Sequence, residues 1–235
     1  VFILRREIMD LIEAIDARKS IRAFKPEPVP KDVLMEMLKI AIRAPSSVNS
    51  QPWEFFVAQG EALEALKRAS LEEYRLGKPP VPELGMGPSK GVAPTLEGVF
   101  KARQVELAKQ IFKLVGIEKG DKAGIEKWNE SMVRFYEAPT IIVIVIDKML
   151  QSKWPIVDVG LVAGYIALAA QNYGLGTCIM RAIVDYPEQV RKILRIPDSK
   201  FIIIGLAIGY PDWDHSINEL RTNRETLGNI VTFVE

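Results

Sequence analysis

Thr140-Ile141-Ile142-Val143-Ile144-Val145-Ile146, entered through Pro139, is a β-branched run with no polar alternation. Such a strand is covered on both faces, because an open face would show a polar side chain at every second position. Phe201-Ile202-Ile203-Ile204-Gly205-Leu206-Ala207-Ile208-Gly209 reads the same way. Between them, residues 156–173 are apolar nearly all round, the pattern of a central buried helix or of a helix at a dimer interface. Asp158, Gln171 and Asn172 lie in or against this stretch, which falls short of the roughly 20 apolar residues of a membrane span. Shorter strands are expected at 54–58 and 175–180, and helices at 31–43, 61–69, 96–115, 122–136 and 187–194. Many helices interleaved with few strands predict an α+β layer in which helices cover one sheet. Ile8, Leu11, Ile12 and Ile15 recur at helical spacing and predict a first helix with one buried face. Ile230-Val231-Thr232-Phe233-Val234 predicts a last strand, detached at the end of an extended arm.

Composition narrows the class. The chain has 235 residues, 48% hydrophobic and 26% charged, as in an ordinary globular protein. A net charge of +1 gives no bulk attraction to nucleic acid or to an anionic membrane. One cysteine, Cys178, and one histidine, His215, leave no disulfide framework, no Cys or His metal cluster and no metal expectation. Cys178 is expected as a small buried residue, His215 at the surface and Trp53 in the core. Val1 to Leu4 ahead of Arg5-Arg6-Glu7 is too short for a signal-peptide core, and a cytoplasmic location is expected. Residues 77–98 hold five glycines and five prolines without a period. A loop of that length inside a compact domain is functional or disordered.

Four polar constellations stand out. Arg18-Lys19-Ser20-Ile21-Arg22-Ala23-Phe24 carries three cations and a hydroxyl just past the first helix. It reads as a solvated basic helix end or as an anion site, since the planar guanidinium suits phosphate. Ala44-Pro45-Ser46-Ser47-Val48-Asn49-Ser50-Gln51-Pro52-Trp53 places hydrogen-bonding side chains between two prolines, as a turn or as a binding loop. Gly174-Leu175-Gly176-Thr177-Cys178-Ile179-Met180-Arg181-Ala182 allows close backbone approach after the buried helix, or simply caps it. Arg221-Thr222-Asn223-Arg224-Glu225 is a second cationic cluster, far along the chain.

In this order, together with Asp158-Val159-Gly160, Gly209-Tyr210-Pro211 and Arg224-Glu225-Thr226-Leu227, these segments resemble the FMN-dependent nitroreductase family. The resemblance spans nearly the whole chain and is loosest from about 71 to 136. It implies one nitroreductase-like domain over 1–235, with a lid or insert at about 71–136. The implied fold has three layers, a central, mostly antiparallel sheet flanked by helices, in an intertwined homodimer with FMN at the interface. Arg18 and Ser20 would then contact the cofactor phosphate with Lys19 nearby, and Arg22 the pyrimidine edge of the ring. Pro45, Ser46, Ser47 and Asn49 would reach the flavin from the partner subunit. Backbone of Ile179, Met180, Arg181 and Ala182 would border the ring, and Arg224 with Arg221 would close on the phosphate. Arg181 and Ala182 stand where several members carry an acidic residue and a glycine. The implied chemistry is ping-pong reduction of nitroaromatics, quinones or similar small acceptors with NADH or NADPH as donor. A dehalogenase-like or ene-reductase-like FMN enzyme and a non-catalytic flavin-binding dimer are the alternatives.

Overall fold

The computed structural model describes residues 9–85, 96–150 and 153–235. Its helices are α1 (Leu11–Ala17), α2 (Lys31–Ala41), α3 (Gly60–Arg75), α4 (Gly98–Leu114), α5 (Lys122–Val133), α6 (Trp154–Gln171), α7 (Pro187–Leu194) and the short α8 (Leu227–Ile230). The strands are β1 (Glu54–Gln59), β2 (Thr140–Asp147), β3 (Gly176–Met180) and β4 (Lys200–Gly209). They form one antiparallel sheet in the order β1-β2-β4-β3.

β2 lies in the middle, buried from Thr140 to Ile146, and its alternate residues feed two separate cores. Ile141, Val143 and Val145 pack with Leu63 and Leu66 of α3 and Val190 of α7. Ile142, Ile144 and Ile146 pack with Leu34 and Met37 of α2 and Val162 and Ile166 of α6. Each side chain withdrawn from water in this way contributes about 1.5–3 kcal/mol, so the β-branched run anchors both helix layers. β4 keeps step through a bulge: Val145 pairs with Ile202 and Ile144 with Ile204, leaving Ile203 as the extra residue. The bulge resets the alternation, so that Ile204, Leu206 and Ile208 share a core with α2 and α6. The result is the expected three-layer α+β arrangement.

Three expectations need correction or restriction. Leu11, Ile12 and Ile15 are exposed, and in the described part of α1 only Ala14 is buried, because among the described residues no layer lies over that face; Ile8 lies outside them. Residues 230–234 form no strand. The short helix α8 occupies Leu227–Ile230, and Phe233 and Val234 are exposed and pair with no strand among the described residues. Of the glycine- and proline-rich stretch, 86–95 lies outside the described residues. α6 buries nine of its residues but leaves Trp154, Val157, Leu161 and Tyr165 open.

Backbone strain gathers at two places. Between α5 and β2, Phe135, Tyr136 and Glu137 have φ of 59°, 54° and 56°, a left-handed turn of three consecutive non-glycine residues. Left-handed helical backbone costs L-residues about 1–2 kcal/mol each. Val48, Asn49 and Gln51, in the turn before β1, also have positive φ.

Candidate active site

The segment after α1 is stitched into the sheet end. Ser20 bridges Thr177 of β3, and the Ile21 amide donates to the Thr177 carbonyl at 3.0 Å. Phe24 bridges Pro211, while the Lys25 amide donates to Tyr210 and the Asp212 amide to Ala23. Ile21 and Phe24 are buried, which turns Arg18, Lys19, Ser20 and Arg22 toward a half-buried surface. Gly176 permits this docking: a Cβ there would stand 2.4 Å from Ile21 and 2.8 Å from Pro211.

Asn218 completes the stitching, and sequence reasoning missed it. It is buried, its Oδ1 accepts from the Arg22 amide at 2.9 Å, and its Nδ2 donates to the carbonyls of Ala23 and Asp212 at 2.7 and 2.8 Å. Its carbonyl accepts from the Lys19 ammonium. An asparagine in a polar stretch carries no sequence signal of burial. Only its place between two segments some 195 residues apart reveals it.

These contacts shape a cavity of about 380 Å³ lined by Ile15, Asp16, Arg18, Lys19, Ser20, Arg22, Leu220, Arg221, Thr222 and Arg224. The two cationic clusters, remote in sequence, therefore meet. Five cationic side chains face one carboxylate, Asp16, and Ser20 adds a hydroxyl. Desolvation, with the nearby Arg221 charge, holds the Lys19 ammonium below its ordinary range against the pull of Glu219. A site with that surplus of positive charge suits a phosphoryl dianion, which guanidinium forks bind bidentately. Lys19 is already engaged by the Asn218 carbonyl and lies 5.1 Å from the centroid of the Trp213 ring. Arg224 donates to its own arm, to the Thr222 hydroxyl at 2.7 Å and to the Asn223 carbonyl at 3.1 Å.

The remaining expected residues lie elsewhere on the chain. Pro45, Ser46, Ser47 and Asn49 are absent from the lining of this cavity. Their turn is held from beneath by buried Asp158, which accepts from the Ser47 amide at 3.1 Å and the Ser50 hydroxyl at 3.4 Å. Ile179 projects from β3 half-exposed, between buried Cys178 and Met180. Ala182 is buried, and the Arg181 guanidinium turns to Asp185 at 2.8 Å. Burial raises the Asp185 carboxyl despite that partner. Cys178 is buried and its thiol pushed up, as expected of an inert core residue; Arg22 and a hydrogen bond with Ser20 oppose the shift. Trp53 is buried, and His215 is exposed, capping a turn by accepting from the Ile217 amide. No cluster of His, Cys, Asp or Glu suited to a metal occurs among the described residues.

With this geometry fixed, known proteins supply the frame. Residues 15–210 match the model of the Nitroreductase family. This chain belongs to that family. It is 29% identical to a 4-nitrobenzoate reductase of Pseudomonas putida over 225 residues, 96% of each chain. It is 30% identical to a chloronitrobenzene nitroreductase of Comamonas testosteroni, covering 94% of this chain and 96% of the relative. In structure it resembles the FMN and NADPH-dependent nitroreductase NfnB from sphigopyxis sp. strain HMH, with a TM-score of 0.89 and 26% identity. That match covers 97% of this chain and all of the other.

Proposed function

We propose that this nitroreductase-family chain is an FMN-dependent NAD(P)H oxidoreductase that reduces nitroaromatic, quinone-like or similar small electrophilic acceptors. The observation that carries this reading is the convergence of Arg18, Ser20 and Arg22 with Arg221 and Arg224 on one cation-rich cavity. When bound, FMN would supply the two-electron chemistry of a ping-pong exchange between NAD(P)H and the acceptor.

The chain's own residues bind and orient. Arg18 and the Ser20 hydroxyl hold the phosphate from the rigid side, and Arg221 and Arg224 close on it from the arm. Arg22, which lines the same cavity, would stand at the pyrimidine edge, where a fixed cation would favour the negative charge of the reduced ring. Backbone of Ile179, Met180, Arg181 and Ala182 borders the ring, while the Arg181 side chain is retained by Asp185. Pro45, Ser46, Ser47 and Asn49 serve the site of a second copy. Their separation from the cavity in one chain supports that assignment, as do the exposed apolar residues of α1 and α6, which a homodimer would cover. The whole chain acts as one domain, with the 71–136 region shaping the acceptor pocket.

Purified protein should be yellow or take up FMN, and anaerobic NADH or NADPH should bleach it. Reoxidation by 4-nitrobenzoate or a quinone completes the test, with halogenated phenols and activated alkenes run in parallel. A colourless protein that takes up no FMN overturns the proposal; reoxidation by halophenols alone would replace nitro reduction with reductive dehalogenation.

A further inference from the structure

Gly124, Lys127, Trp128 and Ser131 of α5 recur at steps of three and four, and so stack on one side of the helix. That side closes a separate cavity of about 330 Å³. Leu114, Val115 and Ile117, at the end of α4 and just past it, give the cavity an apolar lining. The volume stands at the low end for a small-molecule site and suits a single aromatic ring.

The walls are held from several directions. Trp128 packs against the core of Ile111, Ile217 and Leu220 and also against the core that holds Tyr136, whose ring centroid lies 5.4 Å from its own. The Ser216 hydroxyl donates to the Leu114 carbonyl at 2.6 Å, which ties the turn after His215 to the end of α4. Gly124 lets the cap of α5 fold close: a Cβ there would stand 2.2 Å from Asp121 Oδ2.

Around this apolar slot the polar side chains are mostly donors. Lys127 and Arg22 bring two cations. The carboxylates that flank Lys127 are engaged elsewhere: Glu126 accepts from the Tyr74 hydroxyl at 3.1 Å, and Glu130 pairs with Arg75 at 2.6 Å. His215 Nδ1 accepts from the Ile217 amide at 3.2 Å, which leaves the ring proton on Nε2 as a further donor. Asp121 is the one carboxylate in the lining, and it caps α5 by accepting from the Gly124 amide at 2.9 Å. Arg22 also lines the cation-rich cavity, so the two cavities share that side chain, whereas Lys127 belongs to this one alone. Two cations and an N–H donor beside an indole and three aliphatic side chains match an anion that carries a ring; a bare phosphate would leave the apolar lining unused.

We propose that this cavity is a binding site for a small aromatic carboxylate, whose carboxylate pairs with Lys127 and Arg22 and whose ring lies among Trp128, Val115 and Ile117. Nothing in the site requires the cofactor, so the inference stands apart from the reading above.

The test follows 4-fluorobenzoate by fluorine NMR line broadening with the purified protein, against its neutral isostere 4-fluorobenzamide. The benzoate should bind about tenfold more tightly than the benzamide, or better, because the amide forgoes both charge-assisted contacts. Lys127→Ala should weaken benzoate binding roughly tenfold without changing the melting temperature, and Lys127→Arg should retain most of it. Trp128→Leu should weaken binding of both probes roughly three- to tenfold. Arg224→Ala, which alters only the cation-rich cavity, should leave benzoate binding within about twofold of wild type.

No benzoate binding, equal binding of the two probes, or wild-type affinity in Lys127→Ala overturns the proposal. Loss of binding in Arg224→Ala with none in Lys127→Ala moves the anion into the cation-rich cavity and overturns it as well. None of these outcomes depends on whether the protein takes up FMN, so the two readings fail separately.

Discussion

The two cationic segments that meet at the cavity are held in opposite ways. Arg18 to Phe24 is half-buried, bridged to β3 and Pro211, and tied through Asn218 to the backbone on either side. Arg221 to Glu225 lies on an exposed arm anchored by one ion pair, Arg103 to Glu225 at 2.6 Å, above a second groove of about 530 Å³ against α4. One side is fixed by the sheet and Asn218; the other is exposed and tied down at Glu225. Preorganised donors contribute more per contact, because little ordering entropy remains to be lost on binding. With FMN bound as proposed, the arm is expected to govern how long it stays and the stitched side whether it binds at all.

That contrast can be broken from the rigid side first. Asn218→Ala orphans the Arg22 amide and the carbonyls of Ala23 and Asp212, and should cost about 3 kcal/mol, lowering Tm by roughly 6–12 °C in differential scanning calorimetry. Arg18→Ala leaves the fold alone and should weaken FMN binding roughly 10- to 100-fold by fluorescence titration, the loss of one charge-assisted contact. Arg224→Ala should weaken it by about tenfold or less, almost wholly through faster release in stopped flow, and the loss should shrink at high salt. Equal effects of Arg18→Ala and Arg224→Ala on association and release would erase the distinction between the two sides.

Acid gives the mildest probe. Hydrogen bonds from Asn229, the Thr226 amide and Arg103 hold the Glu225 carboxyl at about 2, below the ordinary carboxylate value of 4.5. A depressed carboxylate stabilises its contact fully above 4.5 and loses that contribution as pH falls toward 2. Amide exchange of the arm, followed by mass spectrometry, should therefore quicken across that window. Glu225→Gln should show a few-fold faster exchange already at neutral pH and no such acid transition.

Most of the scaffold could be read from residue pattern because burial on both faces leaves an unmistakable signature. The β-branched run at 140–146 and the interval between it and 201–209 defined the sheet and its covering helix. The bulge at Ile203 left no trace, since in a run apolar on both faces the alternation has no phase to lose. The cationic clusters were visible as charges, and the cavity they share follows from docking that depends on Gly176 and Asn218. α1 was misjudged for a reason of principle: helical spacing shows which residues share a face, and says nothing of whether the same chain covers it. The terminal run 230–234 failed likewise, because a β-forming sequence needs an edge to join. The left-handed turn at Phe135–Glu137 was invisible, lacking the glycine or asparagine that normally marks positive φ.

Ile15 belongs to two surfaces at once: it is half-exposed on the apolar face of α1 and it also lines the cation-rich cavity, three residues before Arg18. The second copy proposed above, in covering that face, would also stiffen the wall against which a ligand rests. In that proposed dimer, masking and ligand retention would be thermodynamically linked, each strengthening the other by mass action. Dilution should then act as an effector. The same preparation should hold its cofactor firmly at micromolar protein and progressively surrender it toward the nanomolar range, with no change in any residue of the site.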